Sequence, residues 1–491
     1  MKAPPPPPDL EEDLLRLQHM ESKLVMGLFD HPGVVPSRVE HQLRYALALA
    51  SLTAFEPGAA RRGGAGRRPE VYVRATRLTQ WRNRVLDRLG DVLLRTADGK
   101  ARVEGAAAAL LPLLPQLEKT RSEVIEKYAD HFSARHLDQE LGIKTLVSVA
   151  GGGGGSGYVY IGAWDVLQNA GLVPGYVIGS SMGAVLGLFR ALRRDADFDE
   201  YVALAKSMRP EDVFRFVSTR TRYGLPGVMR LFLHEVFGPI YRTELNTEML
   251  LTDLEIPYES VVAGIRRSAF AETPEQYARS HHLHEEKRPG ALQLRAQIAT
   301  QLVRLVGFIN PRVVQEISVG GDALTRDFNA VDAAGFSAAI PGILHYDVTR
   351  DDPHMDTILT ELLDRDEVVA LVDGGVANNV PVRTAWRHVH EGKIGTRNCY
   401  YLAFDCFHPQ YTPGHLWLQA VTRLVGYQVA LNDRYAQRRI RFSPTLSPLN
   451  LLPPPNALDK AVAWGRSQMS QELPRVQKFF ERVRYVPSSP A

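Results

Sequence analysis

Ser181 stands in Gly179-Ser180-Ser181-Met182-Gly183, with a glycine two residues to either side. That spacing suits a sharp strand-to-helix turn. The turn pushes the hydroxyl clear of the backbone, and glycines remove the Cβ clashes around it. The apolar run Tyr176-Val177-Ile178 just before it reads as the incoming strand. A hydroxyl held this way can attack a carbonyl, and the oxyanion so formed needs hydrogen-bond donors. Upstream, Val147, Val149 and Ala150 lead into Gly151-Gly152-Gly153-Gly154-Gly155-Ser156-Gly157, followed by a helical stretch. Backbone N–H groups at a helix start stabilise negative charge, which makes Gly152, Gly153 and Gly154 the candidate oxyanion hole.

The glycine run has two competing readings. Gly152-x-Gly154-x-x-Gly157 satisfies the dinucleotide fingerprint, with a strand before it and a helix after it. That fingerprint also requires an acid at the end of the next strand, to hold a ribose hydroxyl. Here the next strand ends in Gly179-Ser180-Ser181, and the one acid between Gly157 and Arg194 is Asp165, inside the helix. A merely flexible loop would account for the glycines but not for their closeness to Ser181. The oxyanion-hole reading accounts for both.

A serine needs a base, and two places could supply one. An α/β-hydrolase would use an acid and then a histidine, and Asp405-Cys406-Phe407-His408 with His415 follows the apolar strand ending at Phe404. The alternative is Asp373, at the end of Val368-Val369-Ala370-Leu371-Val372, with Gly374-Gly375 allowing an immediate turn. Asp-Gly is also a common turn pair, so Asp373 taken alone could cap its own loop.

Taken in order, these blocks resemble the patatin-like phospholipase family. The matching segments are the strand with Gly152-Gly153-Gly154-Gly155-Ser156-Gly157 and the helix opening Tyr160-Ile161-Gly162, then Gly179-Ser180-Ser181-Met182-Gly183-Ala184, then Asp373-Gly374-Gly375 closing with Asn379-Val380-Pro381. Ser337-Ala338-Ala339-Ile340-Pro341-Gly342 looks like the family's Ser-Ala-Ala-x-Pro segment. The resemblance spans roughly residues 143–390. It implies a three-layer α/β/α catalytic domain with a mostly parallel sheet, and a Ser–Asp dyad with Ser181 as nucleophile and Asp373 as base. It implies Gly157, Gly179, Gly183, Gly374 and Gly375 as motif glycines, a lipid ester as substrate, an acyl-enzyme intermediate, and no metal or cofactor. A triacylglycerol lipase or acyltransferase would use the same dyad. A binding module on this fold would have no need of nucleophile, base and glycine turn together. One residue departs from the family pattern: Ser156 occupies a position that is often basic, so a phosphate contact there is lost.

The motifs must be positioned by a larger frame. The chain has 491 residues with 45% hydrophobic content, enough for more than one domain. Residues 1–8 read as a disordered polyproline tail. Residues 9–142 read as helical, opening on an Asp9 cap with Glu12 at the capping-box position, interrupted by a Gly/Ala/Arg-rich linker at 57–69, with a further helix at 116–132. Residues 143–410 form the catalytic region, with strands expected near 146, 176, 259, 369 and 400. Within it, about 265–330 reads as an insertion or lid, where Leu294, Ile298, Leu302, Leu305 and Ile309 give an amphipathic stripe. The nearby His281-His282-Leu283-His284-Glu285-Glu286 reads as exposed linker rather than a metal site. Residues 411–491 read as mainly helical, broken by Pro453-Pro454-Pro455 and by Pro474.

Lys and Arg number 58 against 55 Asp and Glu, a net charge of +3 that gives no reason to expect nucleic acid. The local basic clusters are Arg61, Arg62, Arg67 and Arg68, then Arg193-Arg194, then Arg434, Arg438, Arg439 and Arg441. On a lipid-acting enzyme such clusters would draw the protein to an anionic membrane surface, and otherwise they are solvated faces. Cys399 and Cys406 give no disulfide framework, and the proline-rich start lacks the apolar core of a signal peptide. No run of 18 apolar residues occurs. The expectation is a cytoplasmic protein, peripheral at most on a membrane.

Overall fold

The computed structural model describes residues 6–58, 69–216, 221–269, 276, 309–410 and 419–488. The start of the polyproline tail, Arg61, Arg62, Arg67 and Arg68, the His281–Glu286 stretch, Leu294 through Leu305 of the amphipathic stripe, and His415 lie outside the described residues.

Seven strands build the central sheet: β1 Thr145–Ala150, β2 Tyr176–Ser180, β3 Tyr258–Arg266, β4 Val314–Val319, β5 Val368–Asp373, β6 Cys399–Asp405 and β7 Arg438–Arg441. The inner strands are apolar on both faces, as strands covered by helices on both sides must be. β1 pairs in parallel with β2 and β6, β6 with β7, and β2 with β3. β4 and β5 both pair antiparallel with β3.

The edges of β3 decide where the motifs meet. β4 occupies one edge, opposite residues 260–265. β2 and β5 must therefore share the other. β2 runs parallel to β3 and ends with Ser180 opposite Val261, while β5 runs antiparallel and ends with Asp373 opposite Val262. The two strands approach head to head, and their last residues lie against consecutive positions of one neighbour.

Helices cover both faces. Among the described residues six lie in the N-terminal region: α1 Pro8–Asp30, α2 Ser37–Ser51, α3 Thr76–Arg95, α4 Gly99–Leu110, α5 Leu114–Lys127 and α6 Ala134–Gly142. Their own core includes Leu17, Met20, Leu24, Trp81, Val85 and Leu89. Five more helices matter to the catalytic region: α7 Val159–Asn169, α8 Met182–Leu192, α9 Val382–His390, α10 Gln419–Asn432 and α11 Pro455–Phe480. The alternation of β1 splits its side chains between the layers. Leu146 and Ala150 pack with Trp164 of α7 and Val462 and Met469 of α11. Val147 and Val149 pack with Trp386 of α9, Val425 and Val429 of α10, and Leu14 and Leu15 of α1.

Several expectations are corrected. α1 starts at Pro8 with Pro7 at the cap and no side-chain cap bond, so Asp9 is inside the first turn and makes no capping box with Glu12. Proline is pre-set for a first helical turn, which is why the helix begins earlier. The 116–132 helix is Leu114–Lys127, with Pro115 inside its first turn. The 265–330 insertion does not run unbroken to 330, because β4 belongs to the central sheet. Likewise 411–491 is not a helical appendage: β7 extends the sheet, and α11 runs through exposed Pro474 without breaking.

Candidate active site

The elbow is strained as its sequence requires. Ser181 has φ 54° and ψ −130°, a region that costs a non-glycine residue roughly 1–3 kcal/mol. A Cβ on Gly179 would collide with the Gly183 carbonyl, and one on Gly183 with the Ala150 carbonyl. The flanking glycines are thus fixed by close approach of backbone to backbone. The Ser181 N–H donates to Ser337 Oγ at 2.9 Å, and Ser337 Oγ donates to the Val261 carbonyl at 2.5 Å. Ser337 therefore ties the strained turn to β3. Ser180 is fully buried.

Ser181 Oγ donates to Asp373 Oδ2 at 2.5 Å. The other carboxylate oxygen, Oδ1, accepts the Gly375 N–H at 2.7 Å. Asp373 is also anchored by its backbone, since its N–H donates to the Ala339 carbonyl at 2.8 Å. Ser181 is 8% exposed and Asp373 5%. Burial pushes the Asp373 carboxyl up to about 6, with the Ser181 and Gly375 hydrogen bonds pulling the other way. Such a carboxylate is a better proton acceptor than a solvated one and is still mostly ionised at neutral pH.

The histidine alternative does not converge on Ser181. His408 Nε2 bonds the Phe442 carbonyl at 3.0 Å, and Asp405 pairs with Arg439 at 3.5 Å. Among the described residues no imidazole is hydrogen-bonded to Ser181.

The glycine turn lies beside this pair. A Cβ on Gly152 would come within 2.7 Å of both Ser181 Cβ and Asn379 Oδ1. The Gly152 N–H donates to the Asn379 carbonyl at 3.1 Å, whereas the N–H groups of Gly153 and Gly154 have no hydrogen-bond partner among the described residues. Of the three expected oxyanion donors, Gly152 is thus already engaged. Gly153 and Gly154 line the same cavity as Ser181 and Asp373. Gly157 packs on Met182, and a Cβ on Gly374 would strike the Val261 carbonyl. Gly375 leaves 2.9 Å between a built Cβ and Asp373 Oδ1.

Sequence reasoning missed what supports the turn from beyond it. The Gly155 N–H donates to the Pro448 carbonyl at 3.0 Å, Ser156 Oγ to Leu446 O at 2.7 Å, and Tyr158 OH to Leu451 O at 2.8 Å. Ser156 is fully buried. Gln428 of α10 accepts the Asn379 N–H at 3.1 Å and donates to the Ala377 carbonyl. Cys406 lies under the turn, its thiol 3.6 Å from the Gly152 carbonyl. No local signal in these segments marks them as site residues.

Ser181 stands between two cavities. An inner one of about 90 Å³ is walled by Leu186, Phe189, Phe198, Leu233, Phe237 and other apolar side chains, with Arg190 its one charged residue among the described residues. An outer one of about 400 Å³ holds Asp373 and is lined by Met229, Ile309, Ile340, Ile343, Val421, Val425 and Leu449 among others. In the C-terminal basic cluster Arg434 pairs with Glu12 at 2.9 Å, Arg438 with Glu472 at 2.5 Å and Arg439 with Asp433 at 2.7 Å. No helix among the described residues is long and apolar enough to cross a membrane.

Residues 148–386 match the family model described as patatin-like phospholipase, a match that supports a lipid acyl hydrolase generally. No curated protein matches the chain.

Proposed function

We propose that the protein cleaves carboxylic esters of glycerolipids, including phospholipids, through a Ser181–Asp373 dyad. The observation that carries this reading is the 2.5 Å hydrogen bond from Ser181 Oγ to a buried carboxylate whose pKa burial raises to about 6. As Oγ bonds to the ester carbonyl carbon, its proton passes to Asp373 Oδ2. The carbonyl oxygen becomes an oxyanion facing the free N–H groups of Gly153 and Gly154. Collapse breaks the bond to the alcohol, which leaves with the proton from Asp373 and yields an ester on Ser181. Water then attacks that ester, gives a proton to Asp373, and releases the fatty acid as Ser181 regains its hydrogen. The inner apolar cavity would take the acyl chain.

One observation favours a neutral acylglycerol over a phospholipid. Asp373 is the only charged residue lining the outer cavity among the described residues. Hydrolysis of a panel of phospholipids and acylglycerols by the purified protein separates the two, with a fluorophosphonate probe reporting the nucleophile. The probe should label wild type, and Ser181→Ala should lose both labelling and hydrolysis while keeping its melting temperature. Labelling that persists in Ser181→Ala would remove the assignment.

A further inference from the structure

A cavity of about 1260 Å³ opens where α1, α4, β7 and α11 meet. It shares no lining residue with either cavity at Ser181. Among the described residues seven Lys and Arg line it against three acids, and six of the seven are arginine. Each acid already serves one arginine: Glu12 holds Arg434, Glu472 holds Arg438 and Asp433 holds Arg439. Arg16, Lys23, Arg102 and Arg441 are left, and none of them has an ion-pair partner among the described residues. Arg102 is 9% exposed and is fixed by the Thr96 and Ala97 carbonyls, so this charge is withdrawn from water with no acid to meet it. Burial, and after it the charges of Lys23 and Arg102, lowers the pKa of His19, so both cations act on one ring of the wall.

Neutral donors stand in the same place. β7 is the last strand of its sheet, and its four residues line the cavity in succession, so the unpaired strand edge opens into it. Gln468 of α11 lines it too, and its Nε2 is buried without a hydrogen-bond partner among the described residues. Like charges gathered in a concavity repel, a cost that folding does not recover.

We propose that this cavity binds a compact anion carrying several phosphates, free or as a lipid headgroup. An arginine fork sets two N–H groups against two phosphate oxygens, which a cavity lined mainly by arginine can do repeatedly. The strand edge and Gln468 add donors for further oxygens. Nucleic acid fits less well, because no Phe, Tyr or Trp lines the cavity among the described residues and bases would have no ring to stack on. The inference stands apart from the ester reading, since no residue at Ser181 takes part in it.

The test uses the full chain, inositol hexakisphosphate and the double variant Lys23→Gln/Arg441→Gln. Wild type should bind the hexakisphosphate in calorimetry, more weakly as salt rises. The variant should keep or raise the melting temperature, having lost two unpaired like charges, and should bind at least about tenfold more weakly. Binding in solution identifies a free ligand. Binding confined to phosphatidylcholine vesicles that carry phosphatidylinositol bisphosphate identifies a headgroup, and either result supports the site. His19 gives a readout that needs no variant: bound phosphates should raise its pKa in an NMR titration of wild type. A ring that does not respond while ligand is bound, equal affinity in the variant, or no binding in either form would overturn the proposal. So would single-stranded DNA that binds more tightly than the hexakisphosphate and is released by the same two substitutions, which would make the cavity a nucleic-acid groove.

Discussion

Ser181 and Asp373 are placed by two strands that share one edge of β3, whereas the glycine turn beside them rests on 446–452 and α10, outside the family match. The first arrangement is a matter of sheet register. Slipping either strand by one residue would turn its side chains to the other face and separate the pair. The second is a chain of single hydrogen bonds, running from Gln428 to Asn379 and from Asn379 to Gly152. The proposed reacting groups are fixed by sheet register, and the proposed oxyanion donors by a more adjustable set of single hydrogen bonds. The difference predicts a gradient of sensitivity.

The largest effect short of removing Ser181 itself should come from Asp373→Asn, which cannot accept the serine proton. Turnover should fall by about 10² to 10⁴, while His408→Ala stays near wild type. Wild-type turnover should decline as pH drops through about 6, where the buried carboxyl becomes protonated. The effect on stability has the opposite sense. Because the folded pKa lies above the unfolded one, ionised Asp373 costs the fold on the order of 3 kcal/mol above pH 6 and nothing below pH 4. Asp373→Asn should therefore melt higher than wild type at pH 8, with the difference closing at pH 4. A melting-temperature gap that widens on acidification would break this account.

Next comes Gly153→Val. A built Cβ there lies 2.5 Å from Cys406 Sγ, so the turn must shift and carry its N–H away from the developing charge. Turnover should drop by about 10² to 10³ with little change in KM. Near-normal turnover in the folded variant would assign the turn another role.

The smallest of the three should be Gln428→Leu. It leaves the Asn379 N–H and the Ala377 carbonyl without their partner, a loss of about 1–3 kcal/mol in stability. Turnover should fall by roughly tenfold, between the two effects of a displaced and an intact donor. An effect as large as that of Asp373→Asn, measured as kcat on a dissolved ester, would erase the contrast between the two supports.

Much of the catalytic region was legible because its cues are local. Five of the seven strands announced themselves as apolar runs ending in glycine or polar residues, and the elbow carried its own glycines. β4 and β7 were hidden. Val314-Gln315-Glu316-Ile317-Ser318-Val319 is half polar, as befits a strand with only one strand partner, and Arg438-Arg439-Ile440-Arg441 is a short basic run at the sheet edge. Pro474 misled in the other direction, because a proline on the exposed side of a long packed helix removes one hydrogen bond without outweighing the burial of Met469 and Val476.

By itself the sequence determined the groups able to react and the turns that expose them, since a glycine needed for backbone approach, or a serine between two of them, is a property of a few adjacent residues. Residue by residue it left open which acid meets the serine, because Asp373 and Asp405 both end apolar strands, and Asp373 was chosen only by the family resemblance. The tertiary structure shows the physical reason: β2 and β5 meet on one edge of β3, while Asp405 ends β6, beyond β1, where Arg439 holds it. It alone decided that Gly152 is engaged while the N–H groups of Gly153 and Gly154 have no partner among the described residues, and that Ser156 Oγ donates to the Leu446 carbonyl. Those outcomes depend on contacts between residues far apart in the chain, and such contacts leave no local mark in either partner.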